Sequence, residues 1–214
     1  PLPACLLLLD EMNSSTIDWL MDSDPAIRWQ VQRDLLDAPP GTYLPERQLV
    51  AAQGWGAALL SQQDPSGTWG GGIYSPKWIS TTYTLLLLRQ LGLPPDTPQA
   101  QHGCALFWQY GLCLDGGINL FRSIKYSETC VNGMLLALLS YFGDSDERIH
   151  SVVEYLLNEQ MPDGGWNCRR IHGATHGSFH TTISVLEGLE EYRQAHPQAA
   201  ARTLTASERA HEFL

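Results

Sequence analysis

Residues 63–69 read Gln63-Asp-Pro-Ser-Gly-Thr-Trp69, and residues 160–166 read Gln160-Met-Pro-Asp-Gly-Gly-Trp166. Both fit Q-x-P-x-G-x-W, and their Trp residues are 97 positions apart. Halfway between stands Leu114-Asp115-Gly116-Gly117-Ile118, with Ile118 in the Trp slot, so the period is 48 to 49 residues. A turn recurring at one spacing is the signature of a repeat architecture.

The flanks of the turn repeat as well. Amphipathic helices are expected before each one, over Arg47 to Gln62, Gln99 to Gln109 and Glu147 to Asn158. In the last, Ile149, Val152, Val153, Leu156 and Leu157 fall on one face. After the turns come segments that are apolar nearly all round, such as 83–88 and 134–139. A helix apolar on every side is buried on every side. Another such helix starts in the stretch 178–186 and becomes more polar later. Gly92 and Gly143 suit helix C-caps.

Each unit of about 49 residues is thus an outer helix, a Gly/Trp turn and an inner helix. Stacked hairpins of this kind predict an all-α fold, an α/α toroid that is closed or partly closed. Residues 1–46 read as an N-terminal helical segment capping the toroid, 47–192 as three hairpins, and 193–214 as a connector with a final helix. Within the first segment a helix over Pro25 to Leu36 follows the cap Asp24-Pro25. Pro39-Pro40-Gly41 reads as a loop, and 194–205 as a solvated connector.

Composition narrows the function. The 214 residues carry 13 Lys plus Arg against 23 Asp plus Glu, a balance that argues against a nucleic-acid binder. No apolar run reaches the ~20 residues of a membrane span. The five cysteines form no CxxC pair, and their odd number points to a reducing compartment, with a cytoplasmic location expected. The apolar run in residues 1–10 follows no basic residue and precedes no A-x-A site, unlike a signal peptide. Neither end reads as native: there is no initiator Met, and Glu212-Phe213-Leu214 stops inside a helical pattern.

The turns resemble the QW motif, Q-x(3–4)-G-x-W, of the terpenoid-cyclase and protein-prenyltransferase superfamily, over roughly residues 47–192. Two branches differ in their acidic and metal residues. Squalene- and hopene-type cyclases use D-x-D-D, to which Asp22-Ser-Asp24 and Asp144-Ser-Asp146-Glu147 come nearest. The first lacks the final acid and the second falls in an inter-repeat loop, so the cyclase branch is the less favoured. Prenyltransferase β subunits carry R-x2-K-x2-D-x-C, then a His one repeat later. Here the chain has Arg122-Ser-Ile-Lys125-Tyr-Ser-Glu128-Thr-Cys130 and, 50 residues after Cys130, His180. The equivalent position one repeat earlier is read as Ser80.

That resemblance implies a Zn2+ ion bound by Glu128, Cys130 and His180, which are then the catalytic residues acting through the metal. A carboxylate, a thiolate and an imidazole leave the fourth zinc position open, and a thiol bound there becomes a nucleophile near neutral pH. The implied reaction is transfer of an isoprenoid from an allylic diphosphate to a thiol. Arg122, Lys125, Lys77, Arg169 and Arg170 are candidates to hold the diphosphate. Trp69, Tyr74, Trp78, Tyr83, Trp166 and Phe179 are candidates to line the cavity for the apolar tail.

The chain departs from the family pattern at several points. Glu128 stands where the family has Asp, and Val131 where Tyr is common after the Cys. A second set, Cys168, His172, His176 and His180, has metal-binding residue types at one spacing, although Gly173 and Gly177 argue against a continuous helix. The alternatives are a non-catalytic toroid that binds a lipid, peptide or protein and keeps the metal as a staple, and a cyclase-like enzyme. Repeat counting also allows a homodimer that completes the ring.

Overall fold

A computed structural model of the chain describes residues 15–121, 123–143, 146–199 and 201–214. The described residues are all-α, as expected, with isolated bridges Trp69–Gly72 and Leu112–Ile118 inside turns. After helical residues 15–21 come α1 (Pro25–Asp34), α2 (Pro40–Gln48), α3 (Gly54–Leu60), α4 (Thr81–Leu91), α5 (Pro98–Gly111), α6 (Thr129–Tyr141), α7 (Ile149–Asn158), α8 (Phe179–Ala195) and α9 (Ala201–Phe213). They fall into two compact units. One runs to Gln62 and includes Leu87–Pro94; the other comprises Gln63–Leu86 and Pro95–Leu214.

The first unit is organised around Asp24 and Trp29. Asp24 caps α1 by accepting from the Ala26 N–H at 2.9 Å, and its other oxygen accepts from the Trp55 N–H at 2.8 Å. Buried Trp29 donates its indole N–H to the Leu91 carbonyl at 2.9 Å. The guanidinium groups of Arg33 and Arg47 lie 4.4 and 5.4 Å from its ring centre. Gly92 sits against this ring in the left-handed region, at φ +85°.

Three helix boundaries differ from expectation. The helix expected over 47–62 is broken: α2 stops at Gln48, a 3₁₀ turn covers Leu49–Ala51, and α3 starts at Gly54 with φ +62°. Gly54 permits that backbone because it has no Cβ. The loop expected at 39–41 instead begins α2, because Pro40 arrives with a φ already suited to a first helical turn. The connector expected over 194–205 is mostly helical, since α8 continues to Ala195 and α9 starts at Ala201. Alanine and arginine favour helix strongly enough to fill it.

In the second unit the three turns have one geometry. Gly67, Gly116 and Gly164 stand at φ +86°, +88° and +91°. Their N–H groups donate three residues back, to Asp64, Cys113 and Met161, at 2.9, 3.2 and 2.9 Å. A return bond closes each turn, from those same residues to the carbonyls of Thr68, Gly117 and Gly165, at 2.9 Å in every case. The glutamines then bridge outward. Gln63 donates to Gly67 O and to Gln99 O on α5, at 3.0 and 2.9 Å. Gln160 donates to Gly164 O and to Ala206 O on α9, at 2.8 and 2.7 Å. The middle turn has Leu112 in that slot, and Ser151 of α7 donates to Gly116 O at 3.0 Å instead.

The Trp slot ties each turn to its own inner helix. Trp69, Ile118 and Trp166 are buried. Their backbone N–H groups donate to Thr81, Asn132 and Thr182 at 3.1, 2.7 and 3.0 Å. This register corrects one alignment. Cys130 and His180 each stand two residues before the acceptor, so their counterpart in the first repeat is Ile79 and not Ser80.

Helices α6 and α8 cross on glycines. A Cβ on Gly133 would lie 2.5 Å from Ser184 O, and one on Gly188 would lie 2.5 Å from Gly133 O. Backbone cannot yield as a flexible side chain does, so Gly133→Ala is expected to lower stability by about 1–3 kcal/mol. Urea denaturation with an unchanged slope is the check.

Behind this crossing, His150 Nδ1 lies 2.8 Å from the Tyr192 hydroxyl and its ring 5.4 Å from that of His196. The buried Nε2 of His196 has no hydrogen-bond partner among the described residues. Burial first, then the His150 charge, hold His196 below its ordinary pKa against a weaker opposing pull from Glu147. Below pH ~6.5 the unfolded chain therefore takes up this proton more readily than the folded one. Stability is expected to fall as pH drops from about 6.5 through the lower folded pKa, and a His196→Phe variant should flatten that slope in a thermal-melt series.

Candidate functional site

The loops between the turns and the inner helices bring the chemistry together. These are residues 70–80, 119–128 and 167–178, and all lie within the second unit. Tyr74 is buried in the first loop, and the Tyr83 hydroxyl of α4 donates to its hydroxyl at 3.0 Å. Phe121 meets Tyr74 edge-on at 4.6 Å between ring centres, and Trp78 lies 5.1 Å from Tyr83. Trp78 is 77% exposed and holds a left-handed φ of +74°. Such a backbone is uncommon for a bulky residue and marks a site where function is worth testing.

Glu128 is the acid of this cluster. It occupies the N-cap position of α6 but makes no side-chain capping bond. Its carbonyl accepts from both the N–H and the side-chain amide of Asn132, at 3.0 and 2.9 Å, and this fixes the backbone there. The carboxyl group is half-buried. Burial raises its pKa above the ordinary value, and the charges of His172 and Lys77 offset part of that rise. Burial also raises Tyr74, followed by its bond with Tyr83 and by the neighbouring Cys130 and Glu128.

Cys130 is the second residue of α6 and is half-buried. Burial, then the nearby Cys168 and Glu128, push its thiol up to about 12. His172, from the third loop, lies 2.6 Å from the Tyr126 hydroxyl through Nε2. A cavity of about 190 Å³ lies beside these groups, with Asp115, Tyr126, Ser127, Thr129, Tyr155 and Cys168 in its wall. Asp115 accepts from the Ser127 N–H and hydroxyl at 3.1 and 2.8 Å, and the Tyr155 hydroxyl donates to Ser127 O at 2.6 Å.

The zinc set expected from the sequence is not assembled. His180 is exposed on the first turn of α8, and among the described residues no three His, Cys, Asp or Glu side chains are placed to hold a metal ion. Zinc needs its ligands within about 2.0–2.3 Å of one centre. The same finding covers the set Cys168, His172, His176 and His180.

The cavity candidates divide. Tyr74, Trp78 and Tyr83 form one aromatic cluster. Trp69 and Trp166 are wedges in the core, 2% and 0% exposed, and Trp166 donates its indole N–H to Leu156 O at 2.7 Å. Phe179 turns to the last helix, 5.4 Å from Phe213. Among the cations, Lys77 is exposed and its charge reaches Glu128. Lys125 and Arg169 are exposed, and Arg170 is paired with Glu159 at 2.5 Å. Arg122 lies outside the described residues, as does Asp144. Asp24, the acid nearest to a D-x-D-D pattern in the first segment, is engaged as the cap of α1.

Sequence reading missed Phe121, Tyr126, Asp115 and Tyr155. The available signal was position: Phe121 and Tyr126 flank the Arg122–Lys125 stretch, and Asp115 belongs to the middle turn.

No family model matches the chain, and no solved structure does. Over 179 residues, 79% of its length, the chain is 27% identical to drimenyl diphosphate synthase of Streptomyces showdoensis. The matched stretch is 31% of that protein, so the chain spans about a third of the relative. The similarity is to a terpenoid-related enzyme.

A carboxyl group with a raised folded pKa contributes stability below its unfolded value and loses it as pH rises through the folded one. Glu128→Gln is therefore expected to be more stable than the wild type at pH 7 and equal to it near pH 3. Chemical denaturation at the two pH values checks this.

Proposed function

We propose that this chain is the isoprenoid-handling part of a terpenoid-forming enzyme, built as a toroid of the hairpin repeats, and that Glu128 serves it as a proton donor. The observation carrying this reading is the placement of a half-buried carboxyl group beside the aromatic group Tyr74, Tyr83, Trp78 and Phe121. The similarity to a diphosphate synthase supports the substrate class.

Each element has a chemical use. The aromatic faces take up an apolar polyene and lie where a cationic carbon gains about 0.5–2 kcal/mol per ring. Glu128, more readily protonated than an ordinary carboxyl group, delivers its proton to an alkene carbon, and the π pair forms the new C–H bond. The neighbouring carbon is left cationic, and a ring closes when a second alkene attacks it. Loss of a proton from an adjacent C–H ends the sequence. Lys77 supplies a positive charge for the diphosphate, which is retained throughout.

Alkyl transfer to a thiol, suggested by the Arg122–Cys130 stretch, ranks second. It needs a metal-activated thiolate, and among the described residues no three His, Cys, Asp or Glu side chains are placed to hold a metal ion.

The test is binding followed by turnover. Farnesyl diphosphate at ~100 Kd is expected to raise the melting temperature by roughly 5–10 °C. Tyr83→Ala and Lys77→Ala should each weaken that shift. Products released by phosphatase and analysed by gas chromatography should be cyclic, and Glu128→Gln should lower their formation by about 10²–10⁴-fold with binding kept. A shift no larger than that with inorganic diphosphate or farnesol alone would overturn the reading.

A further inference from the structure

Three backbone groups around Glu128 are held by side chains from other positions. The Ser127 N–H donates to Asp115 at 3.1 Å, and the Ser127 hydroxyl adds a bond to the same carboxylate at 2.8 Å. The Ser127 carbonyl, part of the peptide that carries the Glu128 nitrogen, accepts from the Tyr155 hydroxyl of α7 at 2.6 Å. The Glu128 carbonyl accepts from the N–H and the side-chain amide of Asn132 at 3.0 and 2.9 Å.

The third repeat has part of this clamp. Asp163 accepts from the N–H groups of Gly165 and Gly177 at 3.1 and 2.6 Å, as Asp115 does from those of Gly117 and Ser127 at 3.0 and 3.1 Å. Both aspartates stand three residues before the buried slot, and Ser127 and Gly177 both stand five before the capping acceptor. The aspartate clamp thus belongs to the frame. The tyrosine does not: Tyr155 comes from the helix after α6, and the helix after α8, which is α9, contains no tyrosine. The added bond falls in the repeat whose next residue is the acid Glu128; the third repeat has Ser178 there.

That acid needs holding. A carboxylate at an N-cap ordinarily turns back onto the N–H groups of the first helical turn and is drawn there by the helix dipole. Glu128 occupies the N-cap of α6, and its side chain makes no such bond. Close packing does not fix the stretch either, because Asp115, Ser127, Thr129 and Tyr155 line a cavity of about 190 Å³. Directional bonds to the backbone remain.

We propose that Tyr155 is a positioning residue for Glu128: its hydroxyl, through the Ser127 carbonyl, sets the peptide plane that keeps the Glu128 carboxyl in the site and off the first turn of α6. The chemical use of this bond rests on the reading of Glu128 as a proton donor; its geometry stands apart from that reading. Without the bond the Ser127–Glu128 peptide can rotate, and the carboxyl swings back to the N–H groups at the helix start. A carboxyl engaged there is turned away from the alkene it serves, and misplacing a catalytic group by about 1 Å costs about 10²-fold in rate.

The experiment compares the full chain with Tyr155→Phe, which keeps the ring and removes the hydroxyl. Crystal structures are expected to show the Glu128 carboxyl clear of the α6 N–H groups in the wild type and within ~3.2 Å of the Cys130 or Val131 N–H in the variant. With farnesyl diphosphate, kcat is expected to fall by roughly 10- to 10²-fold while KM stays within about twofold. In a Glu128→Gln background the same substitution should lower kcat no further, since the group it places is gone. Tyr192→Phe removes a buried hydroxyl that bonds to His150 and should leave kcat unchanged, even where its melting temperature falls. An unmoved carboxyl in Tyr155→Phe would overturn the proposal, and so would an equal loss of kcat in the Glu128→Gln background. A wild type that does not turn over farnesyl diphosphate overturns the isoprenoid reading instead, and the crystal comparison then decides this proposal by itself.

Discussion

The structure of the second unit depends on a carbonyl group. Each left-handed glycine at the turn presents a C=O that its own turn cannot use. A side-chain donor, from Gln63, Ser151 or Gln160, satisfies it. That donor also links the turn to the following outer helix, directly through the glutamines and by its own position in the case of Ser151. A buried peptide group left unpaired costs about 1–3 kcal/mol, so the link is hard to dispense with. The substitution of Ser151 for a glutamine in the middle turn shows that the carbonyl is the fixed element. The donor can come from either side of the gap.

From that anchor the loops follow. Each turn holds its inner helix through one side-chain acceptor, Thr81, Asn132 or Thr182, near the start of the helix. The segment between is free to vary in length, from 12 to 14 to 16 residues between donor and acceptor. The variable loops carry Tyr74, Phe121, Tyr126, Glu128, Cys168 and His172. A rigid frame with loops of differing length between its fixed points is a common way to mount chemistry. Here it gathers aromatic rings, a carboxyl group and two thiols at the helix starts.

The spacing that suggested a zinc ion is the spacing of the repeat. Cys130 and His180 do hold equivalent places, two residues before the capping acceptor. Equivalence under a repeat, however, puts residues on neighbouring helices and leaves their side-chain directions open. Glu128 finds Lys77 and His172, and Cys130 finds Cys168. All three partners are residues the sequence had marked as chemically notable, for other roles.

The sequence by itself determined the all-α class, the period near 49 residues, the three turns and the buried positions of their apolar slots. These follow from local rules: a glycine where φ must be positive, apolar residues at helical spacing, and proline at a helix start. The tertiary structure alone decided the break of the outer helix at Gly54, the glycine crossing of α6 and α8, and the pairings of Glu128 and Cys130. Those depend on which side chains from distant loops reach the same few ångströms. Nothing in a residue's own neighbours along the chain specifies that, because burial and charge come from groups more than thirty positions away.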